Sequence, residues 1–241
     1  MKISIVGSGN VATHLHRALE SKAAVCLINP RTFEKFPSDA DVVLIAVKDD
    51  AITEVASKLP ETSAVIAHTS GSVPIEALAS HASNYGVFYP LQTFSKKVNL
   101  KYSEIPVFLE ASSPEAYEML SKAAGLFTSD IREADSESRR KLHLASVFAC
   151  NFTNAMIGIG ADILADTGID FSALLPLLRQ TVSKLENLSP ANAQTGPAIR
   201  RDQNVIERHL QMLEGRPGVA GIYSLITHYI QSKAPLDTSC T

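Results

Sequence analysis

An α/β domain followed by an all-helical region is the fold class that these 241 residues predict. Three observations carry it. Short apolar runs alternate with helical patterns over the first half, as in a parallel sheet with crossover helices. A glycine loop, Gly7-Ser8-Gly9-Asn10-Val11-Ala12, lies directly between the first apolar run and the first helical pattern. From Asp135 onward the periodicity turns wholly helical.

Residues 3–6 (Ile-Ser-Ile-Val) read as a strand, and Val11, Leu15 and Leu19 line one face of the helix that follows. Residues 24–28 form a second strand. Residues 42–47 are six consecutive apolar side chains, which fits a central strand buried on both faces. Residues 64–67 and 87–89 continue the series, with a helix expected over 74–81. Residues 106–110 and 129–133 are the last two strands, separated by a helix over 114–126. Only about a dozen residues separate Asn29 from Val42, near the minimum for a parallel crossover. One outer strand of a Rossmann-like sheet is therefore expected to be missing on the side that would hold an adenosine.

In the helical part, Asp135 is placed to cap the first helix. Leu142, Ala145, Ala149, Phe152, Met156, Ile159 and Ile163 alternate spacings of three and four. That seam, widened by Phe148, Ile157 and Leu164, predicts a helix buried on most sides. Further helices are expected over 171–187, 203–214 and 218–231. The predicted division is 1–134 for a Rossmann-like dinucleotide-binding domain and 135–241 for a helical substrate and dimerisation domain.

A net charge of −3 gives no electrostatic case for nucleic acid or an anionic membrane as partner. Cys26, Cys150 and Cys240 have no metal-ligand spacing. They read as reduced thiols of a cytoplasmic protein, with no metal expected. Met1-Lys2 runs straight into the first strand, so no signal peptide is predicted. Residues 142–161 contain no Asp, Glu, Lys or Arg, and their length matches a bilayer span of ~20 residues. His143, Asn151, Thr153, Asn154 and two glycines within them favour a buried helix of a soluble protein.

The glycine loop carries the first chemistry. Gly7 permits a tight turn, Gly9 lets backbone approach a phosphate, and Ala12 keeps helix and sheet close. The helix's first amides then face the anion. Gly7, Ser8, Gly9, Asn10 and Val11 are thereby assigned to the pyrophosphate of a nicotinamide cofactor, the alternative being an ordinary strand–helix turn. About 20 residues beyond the second glycine, NAD sites place an acid on the ribose. Here the sequence reads Asn29-Pro30-Arg31-Thr32. With no carboxylate to repel a 2′-phosphate, Asn29, Arg31 and Thr32 predict NADP, unless Arg31 is only a solvated loop residue.

Ligands of open α/β sheets lie off the carboxyl ends of the strands. Those ends offer Val47 and Lys48 for the nicotinamide ribose, then His68, Ser70, Gln92 and Thr93 for a carbonyl or carboxylate. Such residues also commonly satisfy loop backbone. At roughly 100° per residue, His143, Val147, Cys150, Asn151 and Asn154 share a helix face opposite the apolar seam. His143 is a candidate general acid, with Asn151 and His68 beside it as catalytic candidates. Asn154 is a candidate substrate ligand, and Arg200 a clamp for a substrate carboxylate. Asp202 reads as a helix cap.

The segments GSGNVA, HTSGS, YPLQTFS, HLASVFACNFTN and TGPAIRRD, in this order, resemble a Rossmann-like family of NADP oxidoreductases. The helical C-terminal half of that family is a domain of unknown function. The family is similar in turn to pyrroline-5-carboxylate reductases and β-hydroxyacid dehydrogenases, which pair a Rossmann domain with a dimer-forming helical domain. β-Hydroxyacid dehydrogenases carry a Lys four residues before an Asn on the first long helix. Here Val147 stands four residues before Asn151, so that mechanism does not carry over. The combined expectation is a cytoplasmic homodimer that moves hydride between NADP and a small carbonyl, hydroxyl or imine substrate. A non-catalytic NADP-binding sensor and a deazaflavin-linked NADP reductase are the alternatives.

Overall fold

The computed structural model describes residues 1–34 and 36–233, so Cys240 lies outside the described residues. Seven strands form one sheet: β1 (Lys2–Val6), β2 (Ala24–Ile28), β3 (Val42–Ile45), β4 (Val65–His68), β5 (Tyr85–Pro90), β6 (Val107–Ala111) and β7 (Ile131–Glu133). Their order is β2-β1-β3-β4-β5-β6-β7. Each of the seven overlaps a segment expected to be a strand. No strand lies beyond β2 among the described residues, as the short Asn29–Val42 connection implies.

The sheet is not parallel throughout. β5 and β6 pair antiparallel, with Phe88 opposite Leu109, whereas the other pairs are parallel. The reason is the connection. Between β5 and β6 there is only a 3₁₀ turn, Tyr102–Glu104, and without a crossover helix the chain cannot return to a parallel start. The helix expected over 74–81 is likewise a 3₁₀ turn, Ile75–Leu78. Eight residues between two loops are too few to offset the cost of helix nucleation.

Helices cover both faces of the sheet. α1 (Asn10–Leu19) and α3 (Pro114–Gly125) pack on the face that carries Ile3, Ile5, Leu44 and Phe88. The short α2 (Ile52–Ser57) packs on the other, against Val6, Ile28, Val43 and Ile45. β3 is therefore buried on both sides, which explains its unbroken apolar run. The chain leaves β1 outward to β2 and returns across it to β3. The carboxyl end of β1 is thus the point where strand order reverses, and a crevice opens there.

Asp135 caps α4 (Ser136–Ser146), accepting from the Ser138 amide at 2.7 Å. A π-helical segment, Val147–Phe152, follows, and then α5 (Thr153–Leu164). Compactness divides the chain after Phe152, giving one unit from Met1 to Phe152 and another from Thr153. The division falls later than Ala134 because α4 is anchored to the sheet by Arg139, a fully buried side chain.

The second unit contains α5, α6 (Leu175–Ser183), α7 (Pro190–Ala193), α8 (Gln203–Met212) and α9 (Pro217–Lys233). Asp202 caps α8 through the Val205 amide. The expected burial of the apolar seam is not met within one chain. Phe152 is 49% exposed and Ile163 42% exposed. Helical conformation over Ser136–Leu164 includes a stretch long and apolar enough to cross a membrane by length and composition, none of it buried. The π segment also displaces the seam, since it adds a residue to one turn.

Candidate functional site

Gly7 has φ +151°, and a Cβ there would collide with the carbonyl oxygen of Ala46 on the neighbouring strand end. Only glycine lets the chain turn so tightly against β3. Ala12 is fully buried beneath it. Gly9 is the N-cap residue of α1, and no side chain caps that helix. Nothing lies within 4 Å of where a Gly9 side chain would begin. The first amides of α1 therefore face open space, the arrangement that holds a phosphate.

A cleft of about 620 Å³ continues from this loop, bounded by Gly7, Ser8, Thr13, Asn29, Pro30 and Arg31. The Asn29 side chain accepts from the Arg31 amide at 3.0 Å, and Phe33 adopts φ +51°. This tight turn leaves Arg31 exposed on the cleft wall. Thr32 Oγ1 takes the Glu34 amide at 3.5 Å, so Asn29 and Thr32 shape the turn. Asn10 is exposed, whereas Val11 packs on the core. Val47 is half-buried in the opposite core, and Lys48 stands exposed at the start of the next turn. These residues fit a pyrophosphate with a phosphorylated ribose: an uncapped helix start, open space above Gly9, and a cation on the wall.

A second cleft, about 490 Å³, opens beyond β5 and is lined by Tyr89, Gln92, Thr93, His143, Cys150 and Asn151 among others. Its construction begins with Arg139. The guanidinium donates to the Val73 carbonyl at 2.7 Å and to Ser136 Oγ at 3.1 Å, and pairs with Glu110 at 3.2 Å. Glu110 also accepts from the Ser136 amide and hydroxyl. The start of α4 is thereby fixed to β6 and to the loop after β4. His143, one turn further on, is delivered beside Gly71 and Tyr89.

Tyr89 Oη and His143 Nδ1 are 3.1 Å apart. A Cβ on Gly71 would lie 2.6 Å from His143 Nδ1 and 2.8 Å from Tyr89 Cζ, so the glycine of HTSGS is what lets the two rings meet. Burial raises the Tyr89 pKa, keeping the phenol neutral. Opposite, the π segment presents Ala149, Cys150 and Asn151 in succession along the cleft wall. Such bulges recur at functional sites because they re-aim side chains that a regular helix would point elsewhere.

Of the residues expected from sequence, Gln92, Thr93, His143 and Asn151 meet in this cleft. The Gln92 side chain accepts from the Thr93 amide at 2.8 Å. His68 does not join them, and its expected catalytic role is corrected. It is fully buried; Nδ1 accepts from the Ser70 amide at 3.2 Å, and Nε2 faces the Pro74 carbonyl at 3.4 Å. Desolvation, and secondarily the nearby Arg139 charge, lower its pKa to about 4. It is neutral near pH 7 and has no face toward a ligand. Ser70 Oγ accepts from the Ser72 and Val73 amides and serves the loop. Asn154 and Arg200 belong to the second unit and are exposed there.

Tyr89 was missed by the sequence reading, which counted it as a strand residue. The signal was its position as the last aromatic before Pro90, at a carboxyl end where a buried hydroxyl needs a partner.

The family model named Domain of unknown function (DUF2520) matches residues 105–230. No curated protein matches the chain. Among solved structures, a Bacteroides fragilis protein described as a putative NADP oxidoreductase is 36% identical, with a TM-score of 0.88. The alignment covers 96% of this chain and 98% of that one. A Thermotoga maritima protein is 23% identical, with a TM-score of 0.71 and coverage of 96% and 98%. An imine reductase from Myxococcus stipitatus, solved with NADP+, is 15% identical, with a TM-score of 0.64 and coverage of 96% and 95%. The last two resemblances are of fold. With the family model spanning more than half the sequence and a relative aligned over nearly its whole length, the chain belongs to the DUF2520 family.

Proposed function

We propose that the chain is an NADP-dependent oxidoreductase that transfers hydride between nicotinamide and a small carbonyl, hydroxyl or imine substrate. The observation that carries this is a shared edge. The uncapped glycine loop follows β1, and the Tyr89–His143 pair follows β5, so both clefts open at carboxyl ends of one sheet. The B. fragilis relative bears an NADP oxidoreductase name, and the M. stipitatus reductase of the same fold binds NADP+; both support the reading.

When bound, the nicotinamide supplies the hydride. The chain supplies the rest. The α1 amides would hold the pyrophosphate, and Arg31 would supply a cation to the 2′-phosphate. In the imidazolium form of His143, Nδ1–H donates to the Tyr89 hydroxyl oxygen and the second proton sits on Nε2. His143 gives the Nε2 proton to the oxygen or nitrogen of the carbonyl or imine as its carbon is reduced, is left as the neutral Nδ1–H tautomer held by the Tyr89 hydroxyl, and takes the proton back in the opposite direction. Asn151, on the re-aimed π turn, orients the substrate's polar group.

NADPH is expected to bind more tightly than NADH by about 1–2 kcal/mol, the worth of a charge-assisted contact from Arg31. Arg31→Ala should erase most of that gap. Fluorescence titration with both nucleotides measures it, and equal affinity in the parent would contradict the NADP assignment.

The same reading makes the protein a cytoplasmic homodimer joined through its helices. Leu177, Val182, Met212, Leu225 and Tyr229 are each more than 60% exposed in one chain. So large an apolar surface is rarely left in water, and a two-fold pairing buries it twice over. Light scattering should give twice the mass of one chain at micromolar concentration, and Phe152→Glu should reduce it. A monomeric parent would contradict the pairing.

A further inference from the structure

We infer that Lys96 is a second grip on the cofactor's pyrophosphate, reaching the glycine loop from the connection after β5. The inference rests on the cofactor reading above and extends it to a residue that no glycine-loop pattern contains. Lys96 Nζ donates to the Ser8 carbonyl at 2.8 Å. Its positive charge is thereby placed at the glycine loop itself, on the carbonyl of the residue between Gly7 and Gly9.

The placement is built. His14, on α1 and fully buried, spends both ring nitrogens on this connection: Nε2 on the Ser95 carbonyl at 2.9 Å and Nδ1 on the Tyr102 hydroxyl at 3.0 Å. Phe94 packs on the same imidazole, with ring centroids 5.2 Å apart. Arg17, three residues along the same helix face, donates to the Lys96 carbonyl at 3.1 Å. The backbone on both sides of Lys96 is therefore pinned to the helix whose N-terminus meets the phosphate. Lys96 forms no ion pair with a carboxylate among the described residues.

A neutral carbonyl is a weak partner for a cation compared with a pyrophosphate. An anion seated on the α1 amides would take the Lys96 charge from Ser8 over a short distance. The helix amides offer only partial charge, and Lys96 adds a full one. Residues 92 and 93 of the same connection line the Tyr89–His143 cleft, so one pinned segment touches both ligand regions.

A pyrophosphate is common to NADPH and NADH, which separates Lys96 from Arg31 in a measurement. Fluorescence titrations of the parent, Lys96→Ala, Lys96→Arg and Arg31→Ala with each nucleotide, at low and high salt, decide the matter. Lys96→Ala is expected to raise both Kd values about ten-fold, leaving their ratio unchanged, and to flatten the salt dependence. Lys96→Arg should stay within a few-fold of the parent, whereas Arg31→Ala should change the ratio. A Lys96→Ala variant that binds both nucleotides as the parent does overturns this inference alone. A parent that binds neither overturns the cofactor reading and this inference with it.

Discussion

Gly9→Asp is expected to lose NADPH binding by at least a hundred-fold while melting no lower than the parent. The two halves of that result have separate causes. Gly9 has φ −77°, which any residue adopts, and nothing lies within 4 Å of a Cβ built there. The aspartate is accommodated. It also stands at the N-cap of a helix that has no side-chain cap, where an Asp carboxylate accepts from the first-turn amides and stabilises the helix by about 1 kcal/mol. Those amides are the ones a phosphate needs. The carboxylate occupies them and repels the incoming anion, so stability holds while affinity collapses. Gly7→Ala is the informative contrast, because its Cβ would collide with the Ala46 carbonyl and its φ is unsuited to alanine. There the fold itself should suffer. Fluorescence titration and thermal melting of the two variants separate a lost ligand site from a lost structure.

His143→Ala is expected to lower turnover by 10²-fold or more, in the range found for removing a general acid, with NADPH affinity unchanged. The residues around the glycine loop and those around His143 line different clefts, so binding and chemistry come apart. Tyr89→Phe should have the smaller effect. It keeps the ring that packs edge-on against His143, with centroids 6.1 Å apart, and removes only the hydroxyl that holds the tautomer. The measurement is steady-state NADPH oxidation with the substrate the parent accepts. Unchanged kcat in His143→Ala would remove the histidine from the mechanism.

Much of this architecture was legible in the residues, for reasons that also explain the rest. The central strands stood out because a strand buried on both faces leaves a continuous apolar run, as Val42–Ile45 does. The direction of β6 did not, since pairing sense depends on whether a helix forms in the connection. The helix face expected to carry His143, Cys150, Asn151 and Asn154 assumed a regular period. The π segment breaks that period, and Ala149, Cys150 and Asn151 stand consecutively on the cleft wall instead. His68 looked like an exposed strand-end histidine, because burial and the Ser70 and Pro74 contacts arise only on folding. Lys96 was hidden for the converse reason. A lysine in a polar stretch ordinarily faces water, and its partner Ser8 lies 88 positions away.

On the function proposed above, the cofactor held at the glycine loop is used for chemistry in the Tyr89–His143 cleft. The direct test is loss of nicotinamide absorbance when purified protein and NADPH are mixed with a panel of small ketones, aldehydes and cyclic imines. NADPH should be consumed with at least one member of the panel, and His143→Ala should suppress the reaction without weakening NADPH binding. A protein that binds NADPH tightly yet consumes it with no member of the panel would contradict the enzyme reading and favour a nucleotide-binding sensor.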